Sequence, residues 1–541
     1  MTRLYRPLSL LVILFGCLVG VLTLSTSPTS PPSPSSVRNA PIQRVAIIGS
    51  GVAGLSTAHA LVSMTNDDSP SKINVSIFDA RKGLDRTAGA GVQINGGLAV
   101  LGKINPTVQQ AILDAGLTLD AVRSRAQAWN QEKDYDTLLE LPLKKVIQGS
   151  SEETRQALLQ QTKDGETTVL WTSIMRGALQ EALFNTLPQS TQDQVSFGKL
   201  LTDILPDSQG GVSCHFADGT TTGPFDLVIG CDGIKSAVKE YVDKGRISPD
   251  PSKREGKAAG IYTGLRIRFA VCDTDTDNER AESKDLPVTI TQYFGDGAYC
   301  FSGTFGNGAG RPRAKAAFLT YLDENWFGPF PRPAQDDEKD ANEDVEENAD
   351  WSQDVRSSVE SSRIEMLKRI QSCKVPTTEL TETISKAERF FDLGVYAHNP
   401  FCRWSKQVPN SGGAFAVLAG DAAHALPPFL GQGANQAIQD AYCLGVRIHE
   451  YNRQVTSSQP VVSDENSTET APPSLEAALR DYESTRWLPA FQVFWKAAFL
   501  GYLETGGFNG AYAKFRDLFF KTMGVLGVAK SVLLGAATPK V

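Results

Sequence analysis

The chain has 541 residues, enough for two or three domains with substantial cores, and its 41% hydrophobic and 21% charged content is ordinary for a globular protein. Its net charge of −8 carries no message about partners, because residues 336–350 alone hold nine acids against one lysine and the rest is balanced. No basic patch argues for nucleic acid. The eight cysteines show no CxxC or zinc-type spacing, and five histidines leave little room for a His-based metal centre, so no metal is expected.

Arg3 and Arg6 precede an apolar run from Leu8 to Leu24, broken only by Ser9 and Thr23, and a Ser/Thr/Pro-rich linker follows to residue 41. The run sits at the lower limit for crossing a bilayer. An uncleaved membrane anchor is the first expectation; a cleaved secretory signal and a bipartite plastid presequence are the alternatives.

The fold is expected to begin at residue 42. RVAII at 44–48 reads as a buried parallel strand, and Gly49-x-Gly51-x-x-Gly54 leads at once into the helix-forming LSTAHALVSM. Gly49 suits a tight turn, Gly51 a close backbone approach to a pyrophosphate, and Gly54 helix-on-sheet packing. INVSIFDA supplies a second strand, with Asp79 at its end to accept from an adenosine ribose. These features in this order point to a dinucleotide cofactor.

Further along, WTSIMRGALQEAL at 171–183 reads as one amphipathic helix, and in DLVIGCDGIKSAVK at 226–239 a short apolar strand runs into Asp232-Gly233. Residues 255–330 alternate like an antiparallel sheet. In LAGDAAHALPPFLGQGANQAI, Pro428 fixes a turn and Gly431-Gln432-Gly433-Ala434 opens a helix. Residues 454–474 form another Pro/Ser/Thr-rich loop. From Trp487 the chain is strongly apolar with scattered Lys and Arg, which fits either helices packed on the catalytic domain or a face lying on a membrane.

Taken together, the stretches at 44–61, 226–239 and 418–441 resemble the three FAD-binding fingerprints of the group A flavoprotein monooxygenases, the para-hydroxybenzoate hydroxylase-like family. The resemblance implies an α/β fold in which a Rossmann-type FAD-binding domain carries an antiparallel-sheet substrate domain and C-terminal helices. It implies that Gly91 lets backbone approach the cofactor and that Arg176 meets FAD phosphate or ribose oxygens. Asp232 and Gly233 would contact FAD and the incoming NAD(P)H. Gly420 and Asp421 would hold the ribityl chain, and the helix opening at Gly433 and Ala434 would face the flavin pyrimidine. His424 is expected to be structural.

The same resemblance divides the chain into a targeting segment and linker at 1–41, FAD-binding parts at 42–118, 165–250 and 388–450, a substrate-domain excursion at 119–164, a substrate-binding sheet at 251–387 and a helical region at 451–541. NAD(P)H and O₂ would be co-substrates, with oxygen delivered through a flavin hydroperoxide to hydroxylate or epoxidise a small aromatic or isoprenoid-like lipophile. GAGVQI, YTG at 262–264 and the presequence faintly resemble zeaxanthin epoxidases. An isoprenoid reductase or desaturase and a membrane-anchored, non-catalytic flavin protein are the alternatives. No catalytic side chain is required, because the flavin carries the chemistry.

Overall fold

A computed structural model of the chain describes residues 38, 40–64, 72–87, 89–128, 134–161, 165–248, 260–273, 287–323, 355–376, 378–457, 473–506 and 511–541. The apolar run at 8–24, the acidic stretch at 336–350 and most of the loop at 454–474 lie outside the described residues. Two sheets organise what is described.

In chain order the elements that position the site begin with β1 (Arg44–Ile48), α1 (Val52–Ser63), β2 (Asn74–Asp79), β3 (Gly91–Ile94), α2 (Gly96–Ile104) and α3 (Pro106–Ala115). Next come β4 (Ala121–Gln127), β5 (Tyr135–Pro142), β6 (Thr172–Met175), α4 (Arg176–Asn185), β7 (Val195–Phe197), β8 (Leu227–Gly230) and α5 (Ala237–Lys244). The substrate-side strands β9 (Ile261–Asp273), β10 (Thr289–Phe294), β11 (Ala298–Phe305) and β12 (Ala314–Leu322) precede α6 (Val355–Ser372), α7 (Thr378–Lys386) and β13 (Arg389–Ala397). The chain closes with β14 (Ser405–Gln407), β15 (Phe415–Leu418), α8 (Gly433–Ser457), α9 (Leu475–Thr505), α10 (Ala511–Val525) and α11 (Val528–Ala537).

The first sheet has strand order β7-β2-β1-β8-β15-β14, parallel except for its last edge strand. Its central strands are continuous apolar runs because helices cover both faces; Val45, Ala46, Ile47, Leu227, Val228, Ile229, Ala416 and Val417 are all fully buried. The second sheet runs β13-β9-β12-β11-β10-β4-β5. All its pairings are antiparallel except β4 with β10, which run parallel because β4 arrives from the earlier excursion. Its alternating side chains serve two faces. Tyr293, Ala298 and Cys300 pack against α6 and α7, while Phe294, Tyr299 and Ile267 point to the opposite side, where Phe429 lies.

Three sequence expectations need correction. The helix expected over 171–183 starts only at Arg176; Thr172–Met175 is a strand paired with β3, since β-branched Thr172 and Ile174 serve a ladder better than a helix. The third FAD-binding part cannot begin at 388, because β13 pairs with β9 from Ile261↔Ala397 to Val271↔Arg389 and so belongs to the substrate-side sheet. The fold also begins before residue 42. The buried Asp226 carboxylate needs counter-charge, and Arg38 supplies it at 2.8 Å beside Arg44 at 2.7 Å, while Tyr451 donates to the Arg38 carbonyl. Six of the cysteines, among them Cys214, Cys231 and Cys300, are buried thiols, as their sparse spacing suggests.

Candidate active site

The three sequence stretches converge at the carboxyl ends of β1, β8 and β15. Gly49 holds φ +104°, a conformation that favours glycine, and a Cβ there would stand 2.4 Å from the Cys231 carbonyl oxygen. A Cβ on Gly54 would fall 1.9 Å from the Gly49 carbonyl oxygen. These two glycines therefore serve packing. Gly51 differs. It caps α1 without any side-chain hydrogen bond and faces open space, so the first N–H groups of that helix are left for a ligand.

At the end of β2, Asp79 is 5% exposed and already occupied. It accepts from the Ser50 amide at 2.7 Å and hydroxyl at 2.6 Å, and from the Arg81 amide at 2.8 Å, Nε at 3.0 Å and Nη2 at 2.8 Å. Burial works against ionisation, yet Arg81 and Ser50 outweigh it and hold the carboxyl at about 2. The expectation that Asp79 meets a ribose is thus modified: its acceptor capacity is spent unless Arg81 moves aside.

After β15, Gly420 at φ +63° leaves no room for a side chain, since a Cβ would lie 2.8 Å from that of Ala53 on α1 and 3.3 Å from that of Ala437 on α8. This is the point where the N-terminal ends of α1 and α8 are brought together. Asp421 follows, open to solvent but walled by protein, so burial raises its carboxyl pKa while His424 and Arg176 pull it back. Arg176, the exposed first residue of α4, is thereby placed at the same cleft as Asp421. Pro428 starts a 3₁₀ turn closed by Gly431, whose φ is +60°. Gly431 faces open space, and the nearest atom to a Cβ on Gly433 would be an Asp421 carboxylate oxygen at 3.9 Å. Ala434 is half-buried beside it, and the Gln432 side-chain oxygen is buried without a partner.

Two expected contacts take another form. The Asp232 carboxylate is spent on α5, accepting from the Ser236 hydroxyl, from the Ala237 amide at 2.7 Å and from the Val238 amide at 3.3 Å. Burial nevertheless raises its pKa. Only the backbone of the Asp232–Gly233 turn, with Gly233 at φ +76° and open, faces the cleft. Gly91 is a packing glycine: a Cβ there would fall 2.2 Å from the Phe305 ring. Arg86 is held by Glu181, which also pairs with Arg311 at 2.9 Å.

Sequence reasoning missed the residues that lock these loops. The Asn435 side-chain oxygen accepts from the amides of Asn95 (2.9 Å) and Gly97 (3.1 Å), and its amide donates to the carbonyls of Gln93 (2.9 Å) and Gly431 (3.2 Å). One side chain thus ties β3, the start of α2 and the turn before α8. Asp440 accepts from the Gly420 amide at 2.9 Å and from His424 at 2.5 Å, and Arg486 on α9 donates to its other oxygen at 2.8 Å. Burial disfavours the Asp440 carboxylate, but His424 and Arg486 prevail and hold its pKa low. An acid inside an otherwise apolar and amide-rich helical stretch was the available signal for Asp440. His424 is thereby held against Asp440.

An uncapped helix start at Gly51, open space at Gly51, Gly233 and Gly431, and a carboxylate and a guanidinium lining one cleft fit an extended anion-bearing dinucleotide. The sequence pattern of an FAD binding domain matches residues 411–459. Salicylate hydroxylase of Pseudomonas putida is 26% identical over 74% of this chain and 76% of its own length, and 6-hydroxynicotinate 3-monooxygenase of Pseudomonas fluorescens is 24% identical over 75% and 84%. The matched pattern and these relatives support the group A FAD-dependent monooxygenase family for this chain. Its fold is the para-hydroxybenzoate hydroxylase-like fold, and Klebsiella pneumoniae HpxO, solved with FAD and uric acid, superposes with TM-score 0.58 at 18% identity over 92% of this chain and 97% of that one. FAD is the monooxygenase's cofactor. Among the described residues no cluster of His, Cys, Asp or Glu could hold a metal ion.

Proposed function

We propose that this flavoenzyme uses NAD(P)H and O₂ to hydroxylate a small, uncharged, apolar aromatic or conjugated substrate. When bound, FAD would supply the redox chemistry by which the nicotinamide reduces O₂, with one oxygen atom going to the substrate and the other to water. The chain's own residues bind and orient. The first turn of α1 would receive the pyrophosphate, Arg176 a phosphate or ribose oxygen, and Asp421 the ribityl hydroxyls. The start of α8 would place its positive end at the pyrimidine side, where negative charge collects on reduction.

The observation that carries the substrate class is the buried apolar cluster beside the 428–434 turn. Phe429, two residues before Gly431, packs with Leu265, Ile267, Phe294, Tyr299 and Val395, and Phe301 stacks on Phe318 at 3.7 Å. Arg516, a cation buried beside this cluster, is committed to Asp517 and to the carbonyls of Gly295 and Glu504. Four of its five N–H donors are thereby used, which leaves too few for the bidentate grip that a substrate carboxylate favours. The relatives above are named for carboxylated and hydroxylated rings, so a neutral lipophile is a departure within the family. Substrate-stimulated NAD(P)H oxidation tests it: of ring compounds matched but for a carboxylate, the neutral one should stimulate more strongly. A preference for the carboxylate would overturn the substrate class.

A further inference from the structure

The helices α10 and α11 have two unlike sides. Inward, Phe520 stacks on Phe294 at 4.9 Å, Arg516 is fully buried, and Leu534, Ala536 and Ala537 are buried. The inner face of α10 therefore roofs the same aromatic cluster that holds Phe429. Outward, Phe515 is 60% exposed, Leu518 54%, Val525 84% and Leu526 66%. Phe515, Leu518, Thr522 and Val525 follow helical i, i+3, i+7, i+10 spacing and so share one stripe, flanked by exposed Lys514 and Lys521. The only acidic side chain in residues 511–541 is Asp517, and it is buried against Arg516. Val528 continues the apolar surface beyond the corner, where the two helices bend by 77°.

We propose that the outer face of α10, with the corner at Val525–Val528, docks on the headgroup layer of an anionic bilayer. Exposed apolar side chains flanked by lysines, with no exposed carboxylate among them, match the chemistry of an interface that offers acyl chains below and negative charge above. A crossing helix is a poorer fit. Among the described residues no single helix is long and apolar enough to span, and the inner side of the bent pair is already committed to protein. A second copy of the chain would bury the apolar stripe equally well, but it would bring Lys514 and Lys521 towards their own counterparts. Docked in this way, the helix covering the substrate-side cluster rests where lipophiles partition.

The test attaches an environment-sensitive fluorophore to the full chain at Leu526→Cys, with the identically treated unsubstituted protein as background. Emission should shift to the blue with vesicles of phosphatidylcholine containing phosphatidylglycerol, and far less with phosphatidylcholine alone. In Lys514→Gln/Lys521→Gln, the insertion equilibrium at saturating lipid should fall roughly 10- to 30-fold. Because the probe reports residue 526 itself, any attachment through Leu8–Leu24 leaves the outcome readable. Emission that stays water-like on anionic vesicles would overturn the proposal. So would a blue shift without vesicles that grows with protein concentration, which would assign the face to a second copy. Neither result bears on the oxygenation chemistry.

Discussion

Arg486 and Asp440, 46 residues apart on α9 and α8, meet at 2.8 Å with both side chains fully buried. Arg486 also donates to the side-chain oxygens of Gln436 at 2.6 Å and Gln439 at 3.3 Å, and to the Lys540 carbonyl at 2.8 Å. Asp440 in turn fixes the Gly420 amide, so α9 helps set the loop that presents Asp421. Arg486→Met leaves the buried Asp440 carboxylate without its guanidinium partner and should cost about 3–5 kcal/mol. Arg486→Lys keeps the charge but not the planar fork and should fall between. Thermal midpoints of the three proteins, with and without FAD, check the order.

The glycines divide into packing and access positions, and substitution should separate them. Gly54→Ala drives a Cβ into the Gly49 carbonyl oxygen and should destabilise the fold by about 1–3 kcal/mol. Gly51 has φ −72° and open space, so Gly51→Val should leave apoprotein stability within about 0.5 kcal/mol while weakening FAD at least roughly tenfold. Denaturant midpoints of the apoproteins and flavin titrations together read the split. Equal loss of stability in both variants would remove the distinction.

Asp79 makes a prediction in acid. Its folded pKa of about 2 lies below the unfolded value near 3.9, so its contribution is complete above that value. The contribution disappears as pH falls towards 2 and amounts to roughly 2–3 kcal/mol. Asp79→Asn should lose this amount at pH 6 and converge with the parent in acid. Arg81→Ala should remove much of the acid sensitivity while freeing carboxylate lone pairs for a ribose.

Glu504 behaves in the opposite sense. It is 4% exposed with one oxygen unpartnered, and burial drives its pKa well above the ordinary carboxylate value although Arg516 opposes this. Because the folded state holds the proton more tightly, stability should decline as pH rises from about 4.3 towards the folded pKa. Glu504→Gln removes that decline, so its urea midpoint relative to the parent should be higher at pH 8 than at pH 5. Parallel profiles would mean that Glu504 is ionised throughout.

The sequence made the cofactor half of the molecule readable because its signals are local: a strand, a glycine turn and a helix are contiguous, Gly49 and Gly54 fall where backbone packing demands them, and Gly51 falls where the backbone is open. What stayed hidden depends on distant partners. Gly91 is required by the Phe305 ring packed against it, and Asn435 by amides near residue 95. Arg38 is fixed by Asp226, far along the chain. The strand at Thr172–Met175 was obscured because it abuts a helix with no intervening turn residue. The C-terminal apolar segment fitted two readings, and α10 now shows why: one face packs on the aromatic cluster while the other is exposed.

The central claim is that one oxygen atom passes from O₂ to a substrate at the expense of NAD(P)H. Its most direct measurement is single-turnover reaction of the FAD-loaded protein, reduced anaerobically by NADPH or NADH, with ¹⁸O₂ and a neutral aromatic or conjugated substrate. The account predicts flavin bleaching on nicotinamide addition and a product that carries one ¹⁸O atom. A product formed in equal yield without O₂, or one whose new oxygen comes from water, would contradict it.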